Sequence, residues 1–243
     1  MYRALLASIA VALLAACGGG DEPNPSPSMD VGAAARDAAD SALMTLDDLP
    51  QFWTVGNPDD TNLDVDLTPE CDVFDTNVSF PGAAATDDAP PYDGTEERMA
   101  TFMTAAFREE RTAIEAFDSL DSLVDRCRPE FLEAIDAAAR REAADRGFGL
   151  GPFGRVDVAL DDHVFVPLGD QSQALRVFVE VRVLGIGTDF TLDIIAVRAG
   201  RMTGAMTYSN FGGLDAVEEE AIARAMTDKL TEADAALPEV GGS

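Results

Sequence analysis

One stretch constrains the fold of this chain more than any other. From Leu175 to Val183, the apolar residues Leu175, Val177, Val179, Val181 and Val183 alternate with Arg176, Glu180 and Arg182. Successive side chains of a strand point to opposite faces, so this alternation predicts a strand with one dry face. Neighbouring segments repeat the pattern. Val156, Val158 and Leu160 alternate with Asp157 and Ala159, Phe190, Leu192 and Ile194 form a further strand, and Met202 to Tyr208 another. Gly185-Ile186-Gly187 and Ala199-Gly200 are connections of hairpin length. The C-terminal half is therefore predicted to be an antiparallel meander.

Helical spacing surrounds the meander. Ala34, Ala35, Ala38, Ala39, Ala42, Leu43 and Leu46 predict a first, alanine-rich helix. Asp47-Asp48-Leu49-Pro50 stops it, because a proline pushes the preceding residue out of helical backbone. Phe52 and Trp53 are expected to anchor the next loop to the core. Residues 54 to 97 are rich in proline and glycine, with one strand expected from Asp72 to Phe80. Met99 to Phe107 is open: Met99, Phe102, Met103 and Phe107 fit a helix, while the threonine and aromatic content tolerates a strand. Ala113, Phe117, Leu120, Val124 and Cys127 form a helical stripe that points Cys127 inward. Pro129 is expected to open a separate helix, with Phe131, Ile135, Ala138 and Ala139 buried and Gly147 at its end. Asp215 with Glu218 resembles a capping box. It would open a last helix with Val217, Ala221, Ile222, Ala225, Met226 and Leu230 inward, closed by Pro238.

The N-terminus reads as an address. Arg3 precedes the apolar stretch Ala4 to Leu14, which runs into Leu14-Ala15-Ala16-Cys17. That order is a secretory signal peptide, residues 1–16, closing on a lipobox. The stretch falls short of the roughly 18 apolar residues that a spanning helix needs. Cys17 would carry a diacylglyceryl group, and residues 17–31, with Gly18-Gly19-Gly20 and several prolines, would form a flexible tether. The expected location is extracytoplasmic, anchored by lipid to the bacterial cell membrane. Residues 32–238 are expected to form a single domain, followed by a disordered tail at residues 239–243.

Lipidation of Cys17 leaves two of the three cysteines. Cys71 and Cys127 can then pair in an oxidising compartment, the alternative being two buried thiols. A bridge across that separation contributes about 4 kcal/mol by chain entropy. Charge excludes other classes. The chain has 17 Lys and Arg against 45 Asp and Glu, a net charge of −28, which argues against binding nucleic acid and against a domain lying on anionic lipid. From Asp21 to Asp88 the one basic residue is Arg36. Solubility or adaptation to salt accounts for this excess, with capture of a cation or cationic partner as the sharper alternative.

Three apparent motifs fail on context. Gly149-x-Gly151-x-x-Gly154 spells a dinucleotide fingerprint, but a helix precedes it, a strand follows it and Pro152 sits inside. Asp60, Asn62, Asp64 and Asp66 alternate like a calcium loop, yet Val65 and Cys71 stand where an EF-hand needs Gly and Glu. An irregular calcium site there stays open. His163, the single histidine, reads as an exposed turn residue after Asp161-Asp162; no G-x-S-x-G turn offers it a nucleophile, and histidine-based zinc is ruled out. No catalytic residue, cofactor or metal ligand is assigned.

Several landmarks together resemble a family of actinobacterial exported sensor-domain proteins. The family includes lipoproteins and, more distantly, the extracellular sensor domain of a mycobacterial serine/threonine kinase. The landmarks are Asp48-Leu49-Pro50 with Trp53 after the alanine-rich helix, then Cys71 and Cys127. Leu168-Gly169-Asp170, Ala174-Leu175-Arg176, Val197-Arg198-Ala199-Gly200 and the closing amphipathic helix follow, so the likeness spans about Ala38 to Leu237. It implies an α+β domain with a curved antiparallel sheet of about five strands, helices packed on one face, a disulfide and a strand at Met99 to Phe107. The implied activity is extracellular sensing or ligand binding. Phe52 replaces the family's usual Gly before the aromatic, Gln171 replaces a common acid, and the helix from Pro129 to Arg146 looks inserted. The expected protein is thus a monomeric, non-enzymatic binding domain for a small molecule or an envelope protein. A structural or interaction protein of the envelope is the second reading and a carboxylate-based hydrolase the third. A deep pocket with convergent polar groups would favour the first, and two buried acids facing one cleft would revive the third.

Overall fold

A computed structural model describes residues 31–57, 68, 71, 80–95, 97–145, 154–183, 186–211 and 215–238. Along the chain these form α1 (Val31–Ala42), β1 (Thr54–Val55), β2 (Ala85–Asp88), β3 (Tyr92–Asp93), β4 (Met99–Ala106) and α2 (Glu110–Asp145). Then come β5 (Gly154–Asp162), β6 (Gln171–Val183), β7 (Ile186–Ala199), β8 (Met202–Phe211) and α3 (Ala216–Ala236). The expected α+β class holds, but among the described residues the sheet has eight strands, not about five. Its order is β1-β3-β4-β8-β7-β6-β5, with β2 also on β4, and every pairing is antiparallel. The meander is present as β5 to β8. Met99 to Phe107 resolves into β4, which pairs with β8 along its whole length.

Both faces of the sheet are covered, where helices on one face were expected. Ala100, Phe102 and Ala106 of β4 pack with α1 and α3, whereas Met103 and Ala105 between them pack under the first half of α2. Such alternation within one strand places the two helix layers on opposite sides. The second half of α2 covers the dry face of β5 and β6, where Phe131 and Ile135 meet Val156, Leu160, Leu175, Val177 and Val179.

Pro129 lies inside α2, not at the start of a new helix. Proline deletes one backbone hydrogen bond of the helix, but Val124, Cys127, Phe131 and Ile135 are buried on either side of it. The continuous apolar stripe holds the helix on course across the proline. Cys127 on this helix is bonded to Cys71, with Cα atoms 5.4 Å apart. Thr68 reinforces the junction, its amide and hydroxyl both donating to the Glu130 carboxylate.

Several residues expected inside are outside. Phe52 is 77% exposed and adopts φ 77°, while Trp53 beside it is buried against Tyr208. Leu46 lies beyond α1 and is exposed. On α3, Val217 is 82% exposed and Ala221 is exposed, whereas Glu219, Ile222, Ala223, Met226, Leu230 and Ala233 face inward. The capping box is half formed. Asp215 accepts from the Glu218 amide, but the Glu218 carboxylate turns away to accept from Arg98 Nη1 at 2.7 Å and from the Tyr208 hydroxyl at 3.1 Å.

The β7–β8 turn is fastened on both sides. Gly200 turns it at φ 58°, and a Cβ there would lie 2.2 Å from Asp234 Oδ2. The Gly200 amide donates to Asp170, Arg198 donates to the Gly200 carbonyl, and Arg201 donates to Asp234 and to the last carbonyls after α3. Leu168-Gly169-Asp170 and Val197 to Gly200, read from the sequence as landmarks of a resemblance, therefore form a structural joint.

The strand expected from Asp72 to Phe80, the acidic run Asp60 to Asp66, Gly149 and Gly151 lie outside the described residues, apart from a buried Phe80. So do the N-terminal segment with Cys17 and the C-terminal tail.

Candidate functional site

Directly paired residues of adjacent strands share a face. In the register of this sheet, Asp161, Arg176, Asp193 and Tyr208 stand side by side across β5, β6, β7 and β8. This polar row lies on the α1/α3 side, since Ile195 and Met206, two residues along, belong to the core under α3. Asp193 is 0% exposed. It survives burial through Arg176, whose Nε and Nη2 each donate to one of its oxygens at 2.7 Å. This two-pronged geometry is the strongest available to a carboxylate and a guanidinium. It raises the Arg176 pKa, chiefly through the hydrogen bonds to Asp193.

The first turn of α3 sets Glu219 on top of this pair. Glu219 is also 0% exposed, and neither of its oxygens accepts a hydrogen bond. Its charged neighbours are Arg176 Nη2, 3.7 Å from Oε2, and the Asp193 carboxyl group. Loss of water, followed by the hydrogen-bond contact and the charge repulsion with Asp193, pushes the Glu219 pKa up to about 8 against the pull of Arg176. Burial beside a second acid thus favours the protonated form of Glu219.

His163 joins this cluster to solvent. Its backbone amide continues the β5–β6 ladder by donating to the Ala174 carbonyl. Its Nε2 lies 3.1 Å from Arg176 Nη2. Arginine only donates, so Nε2 accepts and the imidazole is neutral with its proton on Nδ1. Burial and then the nearby Arg176 charge lower its pKa, partly offset by Asp193. The ring is half-buried and packs edge-on against Phe165. His163 is thus not the exposed turn histidine expected from the sequence.

His163 also lines a groove of about 520 Å³ between α2, the segment after β5 and the start of β6. Arg128 and Asp162 face each other there at 2.9 Å, beside Val164, Phe165 and Gln173. This is within the usual size range of small-molecule sites, which combine apolar walls with a few polar groups.

His163, Asp193 and Glu219 are the one trio of potential metal ligands among the described residues, with ligand atoms within 4.8 Å of one another. Arg176 Nη2 stands among them, hydrogen-bonded to two of the three. The guanidinium therefore occupies the position and supplies the charge that a cation would. The Asp193–Glu219 pair does not have the setting of a glycosidase pair: both acids are fully buried, whereas glycosidase carboxyls flank a scissile bond that must reach them.

Sequence reasoning assigned no functional role to Arg176, Asp193 or Glu219. It did place Cys71 and Cys127 together, as the structure does.

No protein-family model matches the chain, and no curated protein matches it. Among solved structures, the extracellular domain of PknH from Mycobacterium tuberculosis is similar at 12% sequence identity and a TM-score of 0.39, covering 82% of this chain and 97% of that one. No functional residue transfers across that likeness.

Proposed function

We propose that this protein is a lipid-anchored extracytoplasmic binding domain without catalytic activity, and that the groove beside His163 is its ligand site. The groove carries the reading: it is the place where an arginine, a carboxylate, an imidazole and apolar side chains converge on solvent. The Cys71–Cys127 bridge suits an oxidising compartment, and the lipobox ending at Cys17 supplies the membrane attachment. Burial of Asp193 and Glu219 keeps that carboxyl pair out of a substrate's reach.

Native mass spectrometry of the whole protein, recovered from its own envelope, tests the groove. The expected result is a retained small-molecule mass that is absent from the Gln173→Trp variant, where an indole fills the groove. A mass kept in both proteins, or found in neither, overturns the assignment of the groove. The same preparation tests the anchor, because Cys17→Ala should move the protein from the membrane to the soluble fraction.

A further inference from the structure

We infer that Asp193 and Glu219 form a proton-binding site, in which one shared proton seats the first turn of α3 on the sheet and its release in neutral-to-alkaline solution unseats it. The inference is independent of the groove's ligand and of the lipid anchor.

The charge count requires it. Arg176 brings one positive charge, Asp193 brings one negative charge, and the imidazole that accepts from Arg176 is neutral. An ionised Glu219 would leave a net negative charge inside the protein with no hydrogen bond to either of its oxygens, a costly state. A protonated Glu219 neutralises the cluster and donates to the oxygens that Arg176 holds in place. On β8, directly opposite Asp193, the Tyr208 hydroxyl donates to Glu218. Arg98, which precedes β4, is likewise bonded to Glu218, with Asp215 at 3.8 Å. From β7 comes Asp193, from β6 Arg176, and from the segment after β5 His163. Among the described cations near the turn, Arg98 is bonded to Glu218 and Arg176 to Asp193, which leaves Glu219 only its 3.7 Å approach to Arg176.

Loss of the proton leaves two carboxylates against one guanidinium. Glu219 rides on α3 while Asp193 is fixed in the sheet by its neighbours on β6 and β8. Repulsion therefore acts between the helix end and the sheet.

The sign of the pH dependence follows. The Glu219 pKa is raised in the folded state, up to about 8, so its protonated form favours folding. That stability is complete below the unfolded value and is lost as pH rises through the folded one. His163, with its lowered pKa, acts in the opposite sense only at acid pH. A window from about pH 6.5 to about pH 9 isolates Glu219.

The test uses the whole protein, with carboxyl carbons of glutamate followed by NMR and unfolding followed by denaturant, in EDTA. One glutamate signal, absent from Glu219→Gln, should titrate far above the ordinary range. The wild-type unfolding equilibrium should shift by about tenfold or more towards the unfolded state across the window, while Glu219→Gln shifts far less. Amides in the first two turns of α3 should exchange faster at the alkaline end in the wild type alone. An ordinary titration for Glu219, or equal slopes in the two proteins, overturns the inference. Stabilisation of the wild type but not of Glu219→Gln by added zinc or manganese also overturns it, by showing a metal where the proton is placed. Asp193→Asn gives a second reading, since Glu219 should then titrate lower. Failure of the groove experiment leaves all these outcomes unchanged.

Discussion

The two ends of α3 treat charge in opposite ways. At the C-terminal end Asp234 accepts from the Arg201 backbone and side chain, and the same guanidinium donates to the carbonyls of Asp234, Leu237 and Pro238. Asp234 Oδ1 and these three carbonyls each have a donor, and the helix is locked to the β7–β8 turn. At the N-terminal end Glu219 is buried with no donor and faces a second acid. One end is a joint. The other keeps an electrostatic conflict that a single proton resolves. Buried charge is expensive unless paired, so a helix that is well bonded at one end can bear a conditional contact at the other. The contrast separates scaffold from responsive element within twenty-one residues.

The sharpest break in that contrast is Arg176→Met. It removes the guanidinium from Asp193 and leaves a fully buried carboxylate with no ionic partner. Stripping one member from a buried pair costs about 3–5 kcal/mol, to be read by chemical denaturation at neutral pH. Adding Asp193→Leu to the same chain should recover most of the loss, because replacing both members of such a pair is often neutral. A loss under about 1 kcal/mol for the single variant would show that the pair is not desolvated as described.

Gly200→Ala breaks the other end. The left-handed backbone costs an alanine about 1–2 kcal/mol. Its Cβ would also displace the Asp234 carboxylate that holds Arg201, adding about 1 kcal/mol for the bonds lost. The expected destabilisation is about 2–3 kcal/mol in the same denaturation experiment, unchanged with pH across the neutral-to-alkaline window. A pH-dependent cost would mean that the two ends are not separate.

The scaffold was legible in the chain where periodicity has one physical meaning. Strict alternation from Leu175 to Val183 and short hairpin turns left few alternatives to β6, β7 and their neighbours. The number of strands was not legible, because β1, β2 and β3 are two to four residues long and are held by pairing more than by pattern. Pro129 misled because local backbone cost was weighed without the apolar stripe that continues across it. The polar row was hidden for a different reason. Arg176 and Asp193 occupy positions that alternation marks as wet, and only the tertiary placement of α3 buries Asp193 and half-buries Arg176. One signal was available: Glu219 lies three residues before Ile222 and seven before Met226, so it falls on the apolar stripe of its own helix. Weighting apolar residues alone put Val217 and Ala221 on that face and passed over the acid.

Phe52 tests whether the fold tolerates strain where nothing presses on it, and its expected effect is the smallest and of opposite sign. Gly200 and Phe52 both adopt left-handed backbone, at φ 58° and φ 77°. At Gly200 the neighbouring carboxylate leaves no room for a side chain, so the residue type follows from the packing. At Phe52 the ring is 77% exposed, and little core would be lost with it. The buried partner that fixes this turn is Trp53, stacked near Tyr208 with ring centroids 6.2 Å apart. Phe52→Gly should relieve about 1–2 kcal/mol of backbone strain and give back about 0.5–1 kcal/mol through the freer unfolded chain. The net is a stabilisation of up to about 1 kcal/mol, read as a raised denaturation midpoint with an unchanged slope. Phe52→Ala keeps the strain and should show no gain. Equal effects of the two substitutions would place the cost in the aromatic side chain and not in the backbone.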